Sequence, residues 1–184
     1  ELRSVAGRGK SDVVEDVRVV NERKGGGTCL GMTKCCRVSC FEGIGGFVGE
    51  VMWDGIDCHR CRMSGWIACS GDDPGLRFVH LRPMGSSQQN VFVGRMRHGF
   101  GQYFMGTGFV FMAAGAVFRM TEKPYLLGGL AMLWGWLWSA VRRMPRYDDD
   151  EFRRFLRDYQ MRALLVGKRH AIEEIHRDRG ISDE

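Results

Sequence analysis

WDGIDCHRCRMSGW, running from Trp53 to Trp66, is the stretch on which the reading of this chain turns. Asp54 is suited to cap a helix from about Gly55 to Ser64, and Gly65 is its expected C-terminal stop. Asp57 then falls in the first turn, where a carboxylate complements the partial positive charge of the helix N-terminus. An acid three residues after an N-cap is a variant of the capping box, so both aspartates have a structural account. Asp57 also has a chemical one. A carboxylate held at a helix start can take the proton of a hydroxyl as a general base.

Outward from that helix, the flanks read as compact α/β over residues 28 to 82. On the N-terminal side TCLGMTKCCRV is strand-like, and Ser39 is placed to cap a short helix through Phe41 and Ile44 that stops at Gly45-Gly46. On the C-terminal side LRFVHL, residues 76 to 81, alternates like a strand and ends at Pro83. Residues 1 to 27 are polar and Gly-rich, and VVEDVRVV within them fits strand or helix equally. The chain begins at Glu1 rather than Met, which fits a fragment or a processed product, and nothing near it has the order of a signal peptide.

Seven cysteines, scattered among charged residues, do not form a secreted disulfide framework, so a reducing, cytosol-facing setting is expected. Cys58, His59 and Cys61 have zinc-ligand spacing, and Cys36 and Cys40 offer two more thiols. Cys58 and Cys61 would share one helix, however, with His59 pointing elsewhere, which favours structural cysteines. The net charge is +5. Its distribution says more, because Gly75 to Thr121 holds no acid but does hold Arg77, Arg82, Arg95, Arg97, Arg119, His80 and His98. Such a zone suits a diphosphate or anionic headgroups.

Two apolar blocks follow, Tyr103–Phe118 and Tyr125–Val141, of 16 and 17 residues. A spanning helix needs about 20. Trp134, Trp136, Trp138 and Tyr125 are side chains favoured at a membrane interface, and arginines flank the pair at both outer ends. A re-entrant or interfacial helical hairpin is expected, with both ends on the cytoplasmic side; a pair of buried core helices in a soluble protein and two true spans are the alternatives. From Asp148 onward Phe152, Phe155, Leu156 and Tyr159 mark one face of a charged amphipathic helix, which Leu164, Leu165, Ile172 and Ile175 would continue.

GMTKCCRVSCFEGIGGF (31–47), WDGIDCHRCRMSGW, RFVHLRPMGSS (77–87), RMRHGFGQYFMGT (95–107), KPYLLGGLAMLWGW and PRYDDDEFRRFLRDYQ together resemble bacterial family 2 glycosyltransferases of the membrane-associated, polysaccharide-type branch. The resemblance covers roughly residues 28 to 180. It implies an α/β fold: a partial GT-A domain that lacks its N-terminal nucleotide-binding half. The layout would be a poorly defined segment (1–27), the acceptor side of the transferase (28–100), an apolar hairpin (101–147) and a charged C-terminal helix (148–184). By the same resemblance Asp57 is the catalytic base, and Trp53 and Asp54 line the acceptor site. His80, Arg95 and Arg97 would meet the donor diphosphate or a metal. His80 on an apolar strand also reads as a core histidine, and the two arginines also suit headgroups. The Q-x-x-R-W pattern of processive synthases is not reproduced, since Arg97 is followed by His98. Asp148-Asp149-Asp150 contains a D-x-D, but in a position where helix capping explains it.

The activity so implied is transfer of a sugar from a nucleotide sugar to a polysaccharide or lipid-linked acceptor, at the cytoplasmic face of a bacterial membrane. A divalent metal, Mg or Mn, is expected for the complete enzyme, and no nucleic acid. With the donor half missing, this chain alone is expected to be inactive. The alternatives are a non-catalytic membrane-associated interaction protein that keeps the remnant of such a fold, and a zinc-binding regulator.

Overall fold

In a computed structural model, residues 2–5, 34–71, 90–121 and 125–181 are described. They are mostly helical. Seven helices accompany three strands of four, three and four residues. The expected α/β GT-A domain is therefore a misreading. Of the strand-like run 28–38, residues 34–38 are described and Lys34–Cys36 form a strand, while residues 28–33 and the alternation at 76–81 lie outside the described residues. The apolar run 127–141 is a helix whose buried residues recur at helical spacing, and the run 91–105 is a helix as well.

The chain forms two compact units. The first contains residues 1–48, 53–83 and 166–184. Its strands β1 (Leu2–Val5), β2 (Lys34–Cys36) and β3 (Ala68–Gly71) lie in the order β2-β1-β3, with β1 antiparallel to β2 and parallel to β3. Helix α1 spans Val38–Gly43 and is capped by Arg37, with no side-chain hydrogen bond, so Ser39 sits inside the helix rather than at its cap. Helix α2 spans Trp53–Met63 and ends at Gly65, whose φ of 81° needs a residue without Cβ strain. Cys40, Ile44, Cys58, Cys61 and Ala68 make a small apolar core under these elements. Helix α7, Lys168–Asp178, buries Ala171, Ile172 and Ile175 on one stripe.

The second unit contains residues 49–52 and 84–165. Helix α3, Val91–Met105, starts at Asn90, whose side chain accepts a 2.9 Å bond from Val93 N–H. It stops at Gly106 with φ of 93°, where Thr107 N–H returns to the Gln102 carbonyl in a Schellman-type turn. That glycine divides the first apolar block, so the expected two-element hairpin is a three-helix arrangement of α3, α4 (Phe109–Met120) and α5 (Leu127–Val141). Helix α6 spans Asp150–Val166. It is capped by Asp149, which accepts from Phe152 N–H at 2.9 Å, as a capping role for this acidic run requires. Gly167, at φ 86°, ends the continuous C-terminal helix that was expected, and Leu165 is 81% exposed rather than on its apolar stripe.

Glycines set how closely these helices approach. A Cβ at Gly135 would stand 2.2 Å from the Met96 carbonyl oxygen, and one at Gly99 2.0 Å from that of Met132, so α3 and α5 meet backbone to backbone. Gly129 does the same against Ala116 of α4, at 2.3 Å. Tyr103, Met112, Ala116, Met132 and Trp136 fill the core between them, and Trp136 Nε1 donates to the Thr107 carbonyl at 3.3 Å. At 15 residues α5 is about 22 Å long, short of the roughly 30 Å of a bilayer core. Among the described residues, no helix is long and apolar enough to cross a membrane.

Candidate functional site

Asp57 lies on the inner face of α2, one turn from its start, and is completely buried. Its Oδ2 is 3.3 Å from Lys34 Nζ, which arrives from β2. The same ammonium donates to the Asp54 carbonyl oxygen at 3.3 Å and sits over the rings of Phe47 and Trp53, 5.2 and 5.1 Å from their centroids. Phe47 in turn packs on Trp53 at 5.4 Å and on Phe41 at 4.8 Å, edge to face. One carboxylate, one ammonium and a run of aromatic rings thus share a small volume at the head of α2.

Arg60 is the other cation near Asp57, but it is tied elsewhere. Its Nη1 donates to the Gly46 carbonyl at 2.8 Å and stays 3.8 Å from Asp57 Oδ1, beyond hydrogen-bond range. Among the described residues Oδ1 has no hydrogen-bond partner. Burial pushes the Asp57 carboxyl above its ordinary value, while Lys34, Arg60 and a backbone bond from Val48 pull it back. A buried carboxylate with one oxygen left without a hydrogen bond is the kind of group that accepts a proton.

Asp54 does not form the expected box with Asp57. Helix α2 begins two residues earlier than expected, so Asp54 falls in its first turn and its Oδ1 accepts from Gly55 N–H at 2.9 Å. Trp53, Asp54 and Asp57 are brought together. His80 lies outside the described residues. Arg95 and Arg97 are on α3 of the second unit, half-buried and exposed respectively. Sequence reasoning missed Lys34, Phe47 and Arg60. The signal for Lys34 was a lone lysine inside a strand-like run, a position that demands a buried counter-charge.

Cys40, Cys58 and Cys61 belong to the core, while Cys35 is exposed. Cys40 and Cys61 Sγ are 3.4 Å apart and buried. Burial and the neighbouring thiol Cys40 raise Cys36 to about 11 and push Cys61 up as well. Among the described residues, no group of three or more His, Cys, Asp or Glu is placed to hold a metal ion. No protein-family model, curated protein or solved structure matches this chain.

Proposed function

We propose that the first unit carries the acceptor side of a glycosyltransferase, with Asp57 as the base that deprotonates the acceptor hydroxyl. The observation that carries this reading is a buried carboxylate beside an aromatic surface, held by Lys34 on one oxygen and, among the described residues, without a hydrogen-bond partner on the other, which Arg60 faces at 3.8 Å. In the reaction, the acceptor O–H bond breaks and its proton passes to Asp57. The oxygen lone pair forms the new bond to the anomeric carbon of a nucleotide sugar, and the nucleotide diphosphate leaves with the old bond pair. Phe47 and Trp53 offer the apolar face on which a sugar ring stacks. The described residues do not assemble a site for Mg or Mn, so no step is routed through a metal.

Membrane association belongs to the same proposal. Phe109, Val117 and Phe118 of α4 and Leu130, Trp134 and Trp138 of α5 are exposed, a large apolar surface for one pair of helices. Arg142, stacked 4.6 Å over Trp138, stands with Arg143 and Arg146 at the end of α5. Aromatic rings beside arginines suit the interface on the cytoplasmic side. Close helix contact through Gly99, Gly129 and Gly135 is the packing mode that serves where no water drives association.

A second reading, a membrane-associated interaction protein without catalysis, is favoured by the complete burial of Asp57 under Lys34. The two readings separate on Asp57→Asn in the protein expressed from its own reading frame. A base contributes about 10²–10⁴ in rate, so transfer from nucleotide sugars to a membrane fraction falls by at least about 100-fold if Asp57 is the base. Unchanged transfer excludes it.

A further inference from the structure

We propose that Lys34 is the positioning residue of this site: its ammonium, clamped between the Phe47 and Trp53 rings, fixes Asp57 Oδ2 and leaves Oδ1 to take the proton. This inference rests on the reading of Asp57 as the base.

Four observations carry it. The Lys34 side chain is 2% exposed and that of Asp57 is wholly buried, so neither charge is hydrated and each depends on the other. The ammonium has three donors. One goes to Asp57 Oδ2 and one to the Asp54 carbonyl, on the same helix turn. The π faces of Phe47 and Trp53 take the remaining side of the charge, which fixes the ammonium without a second anion that would compete for it. The other charged group facing Asp57 is Arg60, from α2 itself, and it is committed to Gly46. Val48 contributes only a backbone N–H.

The arrangement does two things for a base. It selects which oxygen lacks a hydrogen bond, because Oδ2 is taken. It also opposes the protonation that burial favours. When the proton lands on Asp57 the pair becomes a neutral acid beside an ammonium, and the aromatic faces continue to stabilise the cation. Lys34 touches neither substrate nor reacting atom in this scheme.

The test is a carboxyl-carbon NMR titration of the 184-residue chain labelled at aspartate Cγ, with the Asp57 signal assigned by its loss in Asp57→Asn. In Lys34→Met the titration midpoint of Asp57 is expected to rise by about one pH unit or more, and Lys34→Arg is expected to bring it back toward wild type. A midpoint in Lys34→Met equal to that of wild type overturns the proposal. If Lys34→Met alone does not fold, the double variant Lys34→Met, Asp57→Asn is expected to recover folding, because neither charge is then buried alone. A double variant as unfolded as the single one also overturns it. Neither readout requires sugar transfer, so failure of Lys34 in this role is distinct from failure of Asp57 as the base.

Discussion

Lys34 and Asp57 are buried as a pair, Nζ 3.3 Å from Oδ2, with 2% and 0% of their side chains exposed. Neither partner tolerates loss of the other, because an uncompensated charge would be left out of water. Asp57→Ala is expected to destabilise the first unit by about 3–5 kcal/mol, the usual result of breaking a buried pair. Asp57→Asn keeps a side chain that can accept from Lys34 and should cost less. Urea melts of the two variants followed by circular dichroism check the order.

The same region sets a pH dependence. His59 is held well below its ordinary value of 6.5, by burial first and by Arg62 second, so it is neutral in the fold. A group whose folded value is depressed contributes stability that is present above pH 6.5 and lost as pH falls toward the folded value. The slope is up to about 1.4 kcal/mol per pH unit for one proton. Asp57 acts oppositely: its raised value gives stability that is full below 3.8 and declines as pH rises through the folded value. His59→Gln is therefore expected to flatten the loss of stability between pH 6.5 and 5, measured by thermal melts at fixed ionic strength. An unchanged slope would mean that His59 is charged in the fold.

Gly135 and Met96 test the second unit. Gly135→Ala drives a Cβ to 2.2 Å from the Met96 carbonyl oxygen, a backbone atom that cannot swing aside. The expected cost is about 1–3 kcal/mol or more, seen as a lower melting temperature. Gly115→Ala is the control, because a Cβ there meets nothing within 4 Å, and the substitution favours the helix by about 1 kcal/mol.

Trp134 and Trp138, stacked at 6.0 Å and both exposed, with Arg142 over Trp138, make membrane association measurable. Co-sedimentation with vesicles containing anionic phospholipid is expected, and replacing both tryptophans by serine should reduce it at least about tenfold. Equal binding to purely zwitterionic vesicles would remove the role of the arginines.

Different parts of the molecule were legible in the sequence to different degrees. The helix carrying Asp57 was readable from Gly65 and the acidic residues at its start, and α6 from the spacing of Phe152, Leu156 and Tyr159. The α/β class was not. Period-two alternation over five or six residues is weak beside buried helices, and among the described residues of the run 28–38 three, Lys34–Cys36, pair as a strand. Gly106 and Gly167 divided elements that composition alone ran together, because a positive φ is invisible until the chain is folded. Asp57 was singled out by its place at a helix start together with the resemblance of the segments around it. Lys34, 23 residues away, was missed because their meeting depends on how β2 reaches α2.

The central claim is that Asp57 takes the acceptor proton. The most direct measurement is sugar transfer from nucleotide-sugar donors into membrane glycans by the protein expressed from its own reading frame, wild type against Asp57→Asn, with circular dichroism confirming that both are folded. The expected result is a loss of at least about 100-fold in the variant with its helical signal intact. Transfer by folded Asp57→Asn at the wild-type rate would contradict the account.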